Sequence, residues 1–213
     1  GAEGRFTKVD IQADEIDRLF EFAKKEKIDL TVVGPEAPLV AGIADKFRAH
    51  GLVVFGPDKA GARMEGSKDF CRSVCHESDV KIAEGKTFTD YEEALGYLHR
   101  HALPVVIKAD GLAEGKGVVI AQTREEAFSA LESMMMKKKF GPAGQKVVIE
   151  EFLEGYEISI LAVCSGLEAV LLEPSQDHKR IYDEDKGPNT GGMGAYCPVP
   201  MFNEAQKKWV KEH

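Results

Sequence analysis

The sequence predicts an α/β fold, and three observations carry that expectation. In the first third, amphipathic helical stretches alternate with short β-branched runs across short joints, the pattern of a parallel sheet. From Lys68 onward helices and strands still alternate, but one pair of strands is separated only by a glycine-rich loop. With 213 residues, 43% of them hydrophobic, the chain can bury one substantial core or two modest ones.

The elements follow in order. Residues 13–27, ADEIDRLFEFAKKEK, carry Ile16, Leu19, Phe20 and Ala23 at helical spacing. IDLTVVG (28–34) reads as a buried strand. LVAGIADKFRAHG (39–51) reads as a second amphipathic helix ended by Gly51. LVVFGP (52–57) is another short strand, closed by Gly-Pro. Ligands of such sheets gather beyond the carboxyl ends of the strands, where GPE (34–36) and FGP (55–57) are expected to lie. Further along come helices over SKDFCRSVCHES, YEEALGYLHRH and TREEAFSALESMMMKKK, with strands over PVVIK, GVVIA and KVVIEEFL. EISILAVCS and EAVLLEPS form a hairpin around Ser165-Gly166. Only two strands are convincing in the first unit, and NEAQKKWVKEH reads as a helix just begun. The sequence therefore reads as a fragment at both ends.

Composition excludes several classes of function. A formal net charge of −8 argues against general nucleic-acid or anionic-membrane binding, which needs basic surface. No apolar stretch approaches the ~20 residues that span a bilayer. The opening GAEGRFTKVD does not read as a secretory signal. Cys71, Cys75, Cys164 and Cys197 lack the paired spacing of a zinc site, so reduced thiols and a cytoplasmic location are expected.

VVIKADGLAEGKGVVIA (105–121) poses the chemical question. A Walker loop needs GxxxxGK[ST] before a helix. Here three residues separate Gly111 from Gly115, and Gly117 stands where a metal-binding hydroxyl would be. The β-branched Val118-Val119-Ile120 favours a strand, which also rules out the GxGxxG dinucleotide pattern. The element is strand, loop, strand. Its backbone N–H groups still suit phosphate oxygens, as a mobile flap rather than a cradle at a helix start. Lys108 ends an apolar run, where an unpaired charge would cost several kcal/mol. Either it meets a nucleotide phosphate or it faces solvent at the strand end; both readings stand at this point. The edge Glu151–Leu153 either offers backbone groups to an adenine ring, with Glu157 downstream for ribose hydroxyls, or is an ordinary strand with an acidic face. In DHKR (177–180) and GPNTGGMGAY (187–196), cations flank four glycines that allow close backbone approach, which favours an anion or substrate site over a plain solvated loop. Only His178, among six histidines, stands in such a context.

VVGPEAPLV, FGP…EGSKDF, VIKADGLAEGKGVVIA, FGPAGQKVVIEEFLEGYE and SQDHKR…GPNTGGMGAY occur in this order along nearly the whole chain. Together they resemble the glycinamide ribonucleotide synthetase (phosphoribosylamine–glycine ligase) family of the ATP-grasp superfamily. The resemblance implies a partial pre-ATP-grasp unit over residues 1–66 and an incomplete ATP-grasp domain over 67–213, with an α+β lid from about 82 to 152. It implies ATP-binding roles for Lys68, Lys108, Gly111, Gly115, Lys116, Gly117, Glu150, Glu151, Phe152, Leu153, Glu157, Arg180 and Asn189. Lys108 and Arg180 would act in catalysis. Glu36, Asp177, His178, Lys179, Gly191 and Gly192 would meet substrate.

The implied reaction joins glycine to 5-phosphoribosylamine through a glycyl phosphate, consuming ATP with Mg²⁺ or Mn²⁺. Phosphoryl transfer of this kind needs positioning and charge neutralisation, and no covalent nucleophile. Two family features have no match here. The N-terminal glycine-rich strand–loop is missing, and the metal-binding carboxylate and amide would fall beyond residue 213. The isolated chain is therefore expected not to complete the reaction. The rival expectations are an ATP-binding module without catalysis, or an ATP-grasp ligase for another carboxylate. Neither nucleic acid nor membrane is an expected partner, and the sequence leaves the oligomeric state open.

Overall fold

Apolar spacing and side-chain caps determine where the helices form. The computed structural model describes residues 6–113, 117–184 and 186–212. Helix α1, Ile16–Lys25, buries Phe20 and Ala23, as its stripe predicts. Strand β1, Thr31–Val32, pairs in parallel with β2, Val54–Phe55, in the register Thr31↔Val54. Between them lie α2, Glu36–Ala41, and α3, Ile43–Ala49. The single helix expected over residues 39–51 is thus two helices. Gly42 breaks it with φ +96°, a left-handed conformation that glycine adopts without steric cost. Helix α4, Lys59–Gly66, starts at Asp58, whose carboxylate accepts from the Gly61 N–H at 2.8 Å.

Phe20, Leu39, Ile43, Phe47 and Ala62 make the core of this region, with the Phe20 and Phe47 rings edge to face at 5.9 Å. The strand over residues 28–34 is not buried, contrary to expectation. Val33, Leu52 and Val54 pack on the helices, but the alternate residues point away: Val32 is 64% exposed and Phe55 48%. Strand side chains alternate between faces, and helices cover only one of them.

Helix α5, Lys68–Glu77, leads to a four-stranded antiparallel sheet. Its strands are β3, Gly85–Phe88; β4, Val105–Ala109; β5, Val118–Ala121; and β6, Val147–Glu151, in the spatial order β3–β6–β4–β5. The edge strand β3, which reads Gly-Lys-Thr-Phe, has no β-branched run to announce it. Helix α6, Tyr91–Arg100, is capped by Asp90, and α7, Arg124–Leu131, opens on a capping box between Thr123 and Glu126. They bury Leu98, Ala127 and Leu131 against Val105, Ile107, Val147 and Ile149 on one face of the sheet. The helix expected over 123–139 gives way to a π turn at Glu132–Met136.

One unit ends at Glu151 and a second begins at Phe152. The second contains the expected hairpin, β7 (Ala162–Ser165) with β8 (Glu168–Leu171), turning at Gly166 with φ +60°. The strands β9 (Gln176–Asp177) and β12 (Ala195–Tyr196) pair antiparallel, as do β10 (Arg180–Tyr182) and β11 (Lys186–Asn189). Helix α8 spans Glu204–Glu212. No helix among the described residues is long and apolar enough to cross a membrane.

Candidate functional site

The register of the four-stranded sheet sorts its side chains. Val106 lies opposite Glu150, and Lys108 lies between Val148 and Val118. Since Val105, Ile107 and Ala109 fill the core under α6 and α7, the alternation sends Lys108 and Glu150 to the other face. There Lys108 does not dangle into solvent. Its Nζ meets Oε2 of Glu150, while the other carboxylate oxygen accepts from Nη1 of Arg72 at 2.7 Å. Arg72 and Glu150 are buried, 7% and 6% exposed. Arg72 also donates to the carbonyls of Ala83 (3.0 Å) and Gly85 (2.9 Å). The charge that the sequence left in need of a partner therefore has a protein carboxylate as its first partner.

Lys68 approaches from α5. It stands four residues before Arg72, on the same side of the helix, and its Nζ donates to the Gly111 carbonyl at 3.2 Å. Burial pushes its pKa below the usual lysine value, and the nearby Asp110 carboxylate opposes that shift. Asp110 follows β4 directly and holds the start of α5. Its carboxylate accepts from the Asp69 N–H at 2.8 Å and from the Ser67 hydroxyl at 3.1 Å. A carboxylate at a helix N-terminus is favoured by the exposed N–H groups and the helix dipole. Lys146, just before β6, bonds Asp69 at 2.8 Å and lies 3.8 Å from Asp110. That hydrogen bond raises the Lys146 pKa, and together with one from Thr87 it lowers that of Asp69.

The ends of the glycine loop are built for close approach. A Cβ on Gly111 would lie 2.7 Å from Cβ of Ala143, and one on Gly117 the same distance from Cβ of Ala113. The Gly117 carbonyl accepts from the Ala109 N–H at 2.8 Å, which closes the loop base. A cleft of about 780 Å³ opens beside it, lined by Asp110, Gly111, Leu112, Phe140, Ala143 and Lys146 among others. Gly115 and Lys116 lie outside the described residues, as does the side chain of Asn189. Where β6 ends, the Glu151 N–H donates to the Glu84 carbonyl at 2.8 Å and its carboxylate accepts from the Glu84 N–H. Phe152 is half-buried and Leu153 exposed. Glu36 stands exposed in the first turn of α2 and joins none of these contacts.

In the second unit, Arg180 lies opposite Asn189 in the β10–β11 pair and donates to the Gly187 carbonyl at 2.7 Å. Lys179 bonds Glu157 at 3.2 Å and lies 3.8 Å from Asp177; the Glu157 bond raises its pKa. The His178 ring stacks on Tyr196 at 5.8 Å. Gly192, at φ +118°, donates its N–H to the Thr190 hydroxyl at 3.0 Å, while Gly191 has open space where a side chain would be. The fold thus brings together Glu157, Asp177 and Lys179, and separately Lys68, Lys108 and Glu150. Sequence reasoning missed Arg72, Asp69, Asp110 and Lys146. The spacing of four from Lys68 was a usable signal for Arg72, and the position at the end of β4 was one for Asp110.

An antiparallel sheet with one helix-covered face, its other face carrying Lys108 beside a glycine loop that Lys68 reaches from α5, has the ATP-grasp fold. Solved structures share it. The biotin carboxylase domain of Hydrogenobacter thermophilus 2-oxoglutarate carboxylase, in complex with MgADP, superposes with a TM-score of 0.76 over 97% of this chain and 46% of that one, at 16% identity. The family models for phosphoribosylglycinamide synthetase match this chain, the N domain over residues 1–65 and the ATP-grasp (A) domain over 66–213, so the chain belongs to that family. Among its relatives are phosphoribosylamine–glycine ligases from Halalkalibacterium halodurans (51% identical, over 95% of this chain and 47% of the relative) and Leptospira interrogans (53%, 90% and 45%). The crystal structure of the Thermotoga maritima phosphoribosylamine–glycine ligase is 34% identical, with a TM-score of 0.76 over 90% of this chain and 47% of that one. The chain spans about half the length of these relatives.

Proposed function

We propose that this chain grasps ATP for a carbon–nitrogen ligase that joins glycine to 5-phosphoribosylamine, a step of purine biosynthesis in the cytoplasm. The observation that carries this reading is the pair Lys68 and Lys108, set beside the ends of a glycine loop in a member of this family. The residues suit a triphosphate: two ammonium groups neutralise charge, and the loop ends are too close-packed for any side chain larger than glycine. Residues 1–66 would form part of the pre-ATP-grasp unit and 67–213 part of the ATP-grasp domain, with the lid from about 82 to 152.

In the proposed reaction a carboxylate oxygen of glycine attacks the γ-phosphorus, and the bond to the β-phosphate oxygen breaks to release ADP. The amine of phosphoribosylamine then attacks the acyl carbon. The new C–N bond replaces the C–O bond to phosphate, phosphate departs, and the amine loses a proton to solvent. Lys108 and Lys68 hold the phosphates, and the loop from Gly111 to Gly117 shields the acyl phosphate from water. The backbone at Glu150–Leu153 would meet adenine, Glu157 ribose, and Arg180 with Asn189 the reacting phosphoryl group. Glu36, Asp177, His178, Lys179, Gly191 and Gly192 would line the substrate side. A Mg²⁺ or Mn²⁺ ion bound with the nucleotide would screen the transferring phosphate. Among the described residues no group of three or more His, Cys, Asp or Glu side chains is arranged to hold a metal ion.

The test is calorimetric titration with ATP and Mg²⁺, with GTP and adenosine as controls. Adenine-selective, triphosphate-dependent binding is expected. Lys108→Ala should weaken ATP by about 2 kcal/mol, the scale of a charge-assisted contact, and leave adenosine nearly unchanged. Equal loss for both ligands would show that Lys108 serves folding instead. Glycine-dependent ADP release, compared with other carboxylic acids, tests the acceptor.

A further inference from the structure

We propose that Arg72 is a positioning residue for nucleotide binding, acting on Lys108 through Glu150. The proposal rests on the nucleotide reading above and adds a residue which that reading does not use. Three features of the geometry support it. Arg72 is buried, and its guanidinium is committed to three acceptors: a Glu150 oxygen at 2.7 Å and the carbonyls of Ala83 at 3.0 Å and Gly85 at 2.9 Å. A planar fork held at three points cannot rotate away, and it stays charged at every accessible pH. Second, this fork occupies only one oxygen of Glu150. The other faces the Lys108 ammonium, so the carboxylate is divided between two cations. Third, Lys108 is the only one of the three with appreciable exposure, its side chain at 29% against 9% for Arg72 and 8% for Glu150.

The chemistry of the arrangement is positional. A lysine ammonium has three donors on a flexible four-carbon stem, and ordering that stem costs free energy when a ligand binds. Glu150 takes one donor and fixes the stem, leaving the others for an incoming phosphate. Arg72 in turn keeps Glu150 in place, because a buried carboxylate facing a lysine alone would follow the lysine's motion. The Ala83 and Gly85 carbonyls flank the start of β3, so the same guanidinium ties α5 to the edge of the sheet.

The experiment is a double-mutant cycle on this chain, reading calorimetric affinities for Mg²⁺·ATP and for adenosine. In the unsubstituted protein ATP should bind more tightly than adenosine; no such preference would overturn the nucleotide reading and this proposal with it. Given that preference, Arg72→Lys should weaken ATP by about tenfold and adenosine by less than about twofold, since lysine keeps the charge but cannot span three acceptors. In the Lys108→Ala background the same substitution should change ATP affinity by less than about twofold. A tenfold loss that persists without Lys108, or an equal loss for both ligands, would mean that Arg72 only supports the fold. Glu150→Gln gives an independent arm: ATP should weaken here also, and tighter ATP binding would mean that the carboxylate withholds the lysine rather than presents it. Should both variants fail to fold, crystals of the unsubstituted protein with a non-hydrolysable ATP analogue decide the matter. Lys108 Nζ within hydrogen-bond distance of both Glu150 and a phosphate oxygen supports the proposal, and Lys108 swung clear of Glu150 overturns it.

Discussion

Lys68 is half-buried with its ammonium on the Gly111 carbonyl, and burial depresses its pKa. A triphosphate beside it would favour the charged form and raise that pKa again. ATP binding at alkaline pH should therefore take up protons, seen as a dependence of calorimetric enthalpy on the ionisation heat of the buffer. Absence of uptake would mean that phosphate does not reach Lys68. Gly111 makes a steric prediction. An alanine there would bring its Cβ within 2.7 Å of Ala143, so Gly111→Ala should cost about 1–3 kcal/mol in urea denaturation. Gly191→Ala, with open space around it, should stay within about 0.5 kcal/mol. Lys108 was legible as a cation ending an apolar run, and Lys68 through EGSKDF, one of the motifs that carry the family resemblance. Arg72 was legible only as a cation four residues after Lys68; its role was not, because it depends on Glu150, 78 positions away. Nor was the internal partner of Lys108, since a strand's own residues do not announce which neighbour lies across the ladder.

Helix α5 and strand β6 are tied by Lys146 to Asp69 at 2.8 Å, and the Lys146 hydrogen bond is the chief cause of the lowered Asp69 pKa. A carboxyl group whose pKa is lower folded than unfolded adds stability above its unfolded value, near 3.9, and that stability is lost as pH falls through the folded value. Lys146→Met should therefore flatten the acid limb of the stability curve, with a smaller drop below about pH 4 than the unsubstituted protein shows. Lys146 itself, raised by the same contact, contributes stability below its unfolded value that disappears as pH rises through the folded one. Thermal melts across both limits would read the two effects, and parallel curves for the two proteins would discount the link. Most elements were readable: α1, α5, α6 and the β7–β8 hairpin all follow from period and turn chemistry. The exceptions have physical causes. The helix over 39–51 has an unbroken apolar stripe, so only the left-handed Gly42 divides it. The run IDLTVVG puts Ile28, Leu30 and Val32 on one side and Asp29, Thr31 and Val33 on the other, and which side is covered depends on packing partners rather than on its own residues.

The whole chain divides at Glu151 and Phe152, and the residues that follow are open: Leu153 is 64% exposed and Tyr156 79%. Brief chymotrypsin treatment should cut first between residues 152 and 156, and mass spectrometry should show two fragments meeting there. First cuts inside β3–β6 would refute the division. The order of motifs predicted an α/β chain of this family, and the family models bear that out along its length. The residues' own pattern does not announce the boundary after Glu151, because β6 runs on into Phe152-Leu153-Glu154 and the next glycine, Gly155, comes only four residues later. The ladder between β4 and β6 has a further consequence, for how relatives of this protein can differ. Lys108 and Glu150 share a face only because the pairing Val106↔Glu150 holds. Deleting one residue at Val147 or Val148 would rotate Ile149 outward and drive Glu150 into the apolar layer under α6 and α7. These strands can be respelled but not respaced. Length variation among relatives should therefore fall in the connecting loops, and an alignment gap inside β4 or β6 would mark a protein that has abandoned this chemistry.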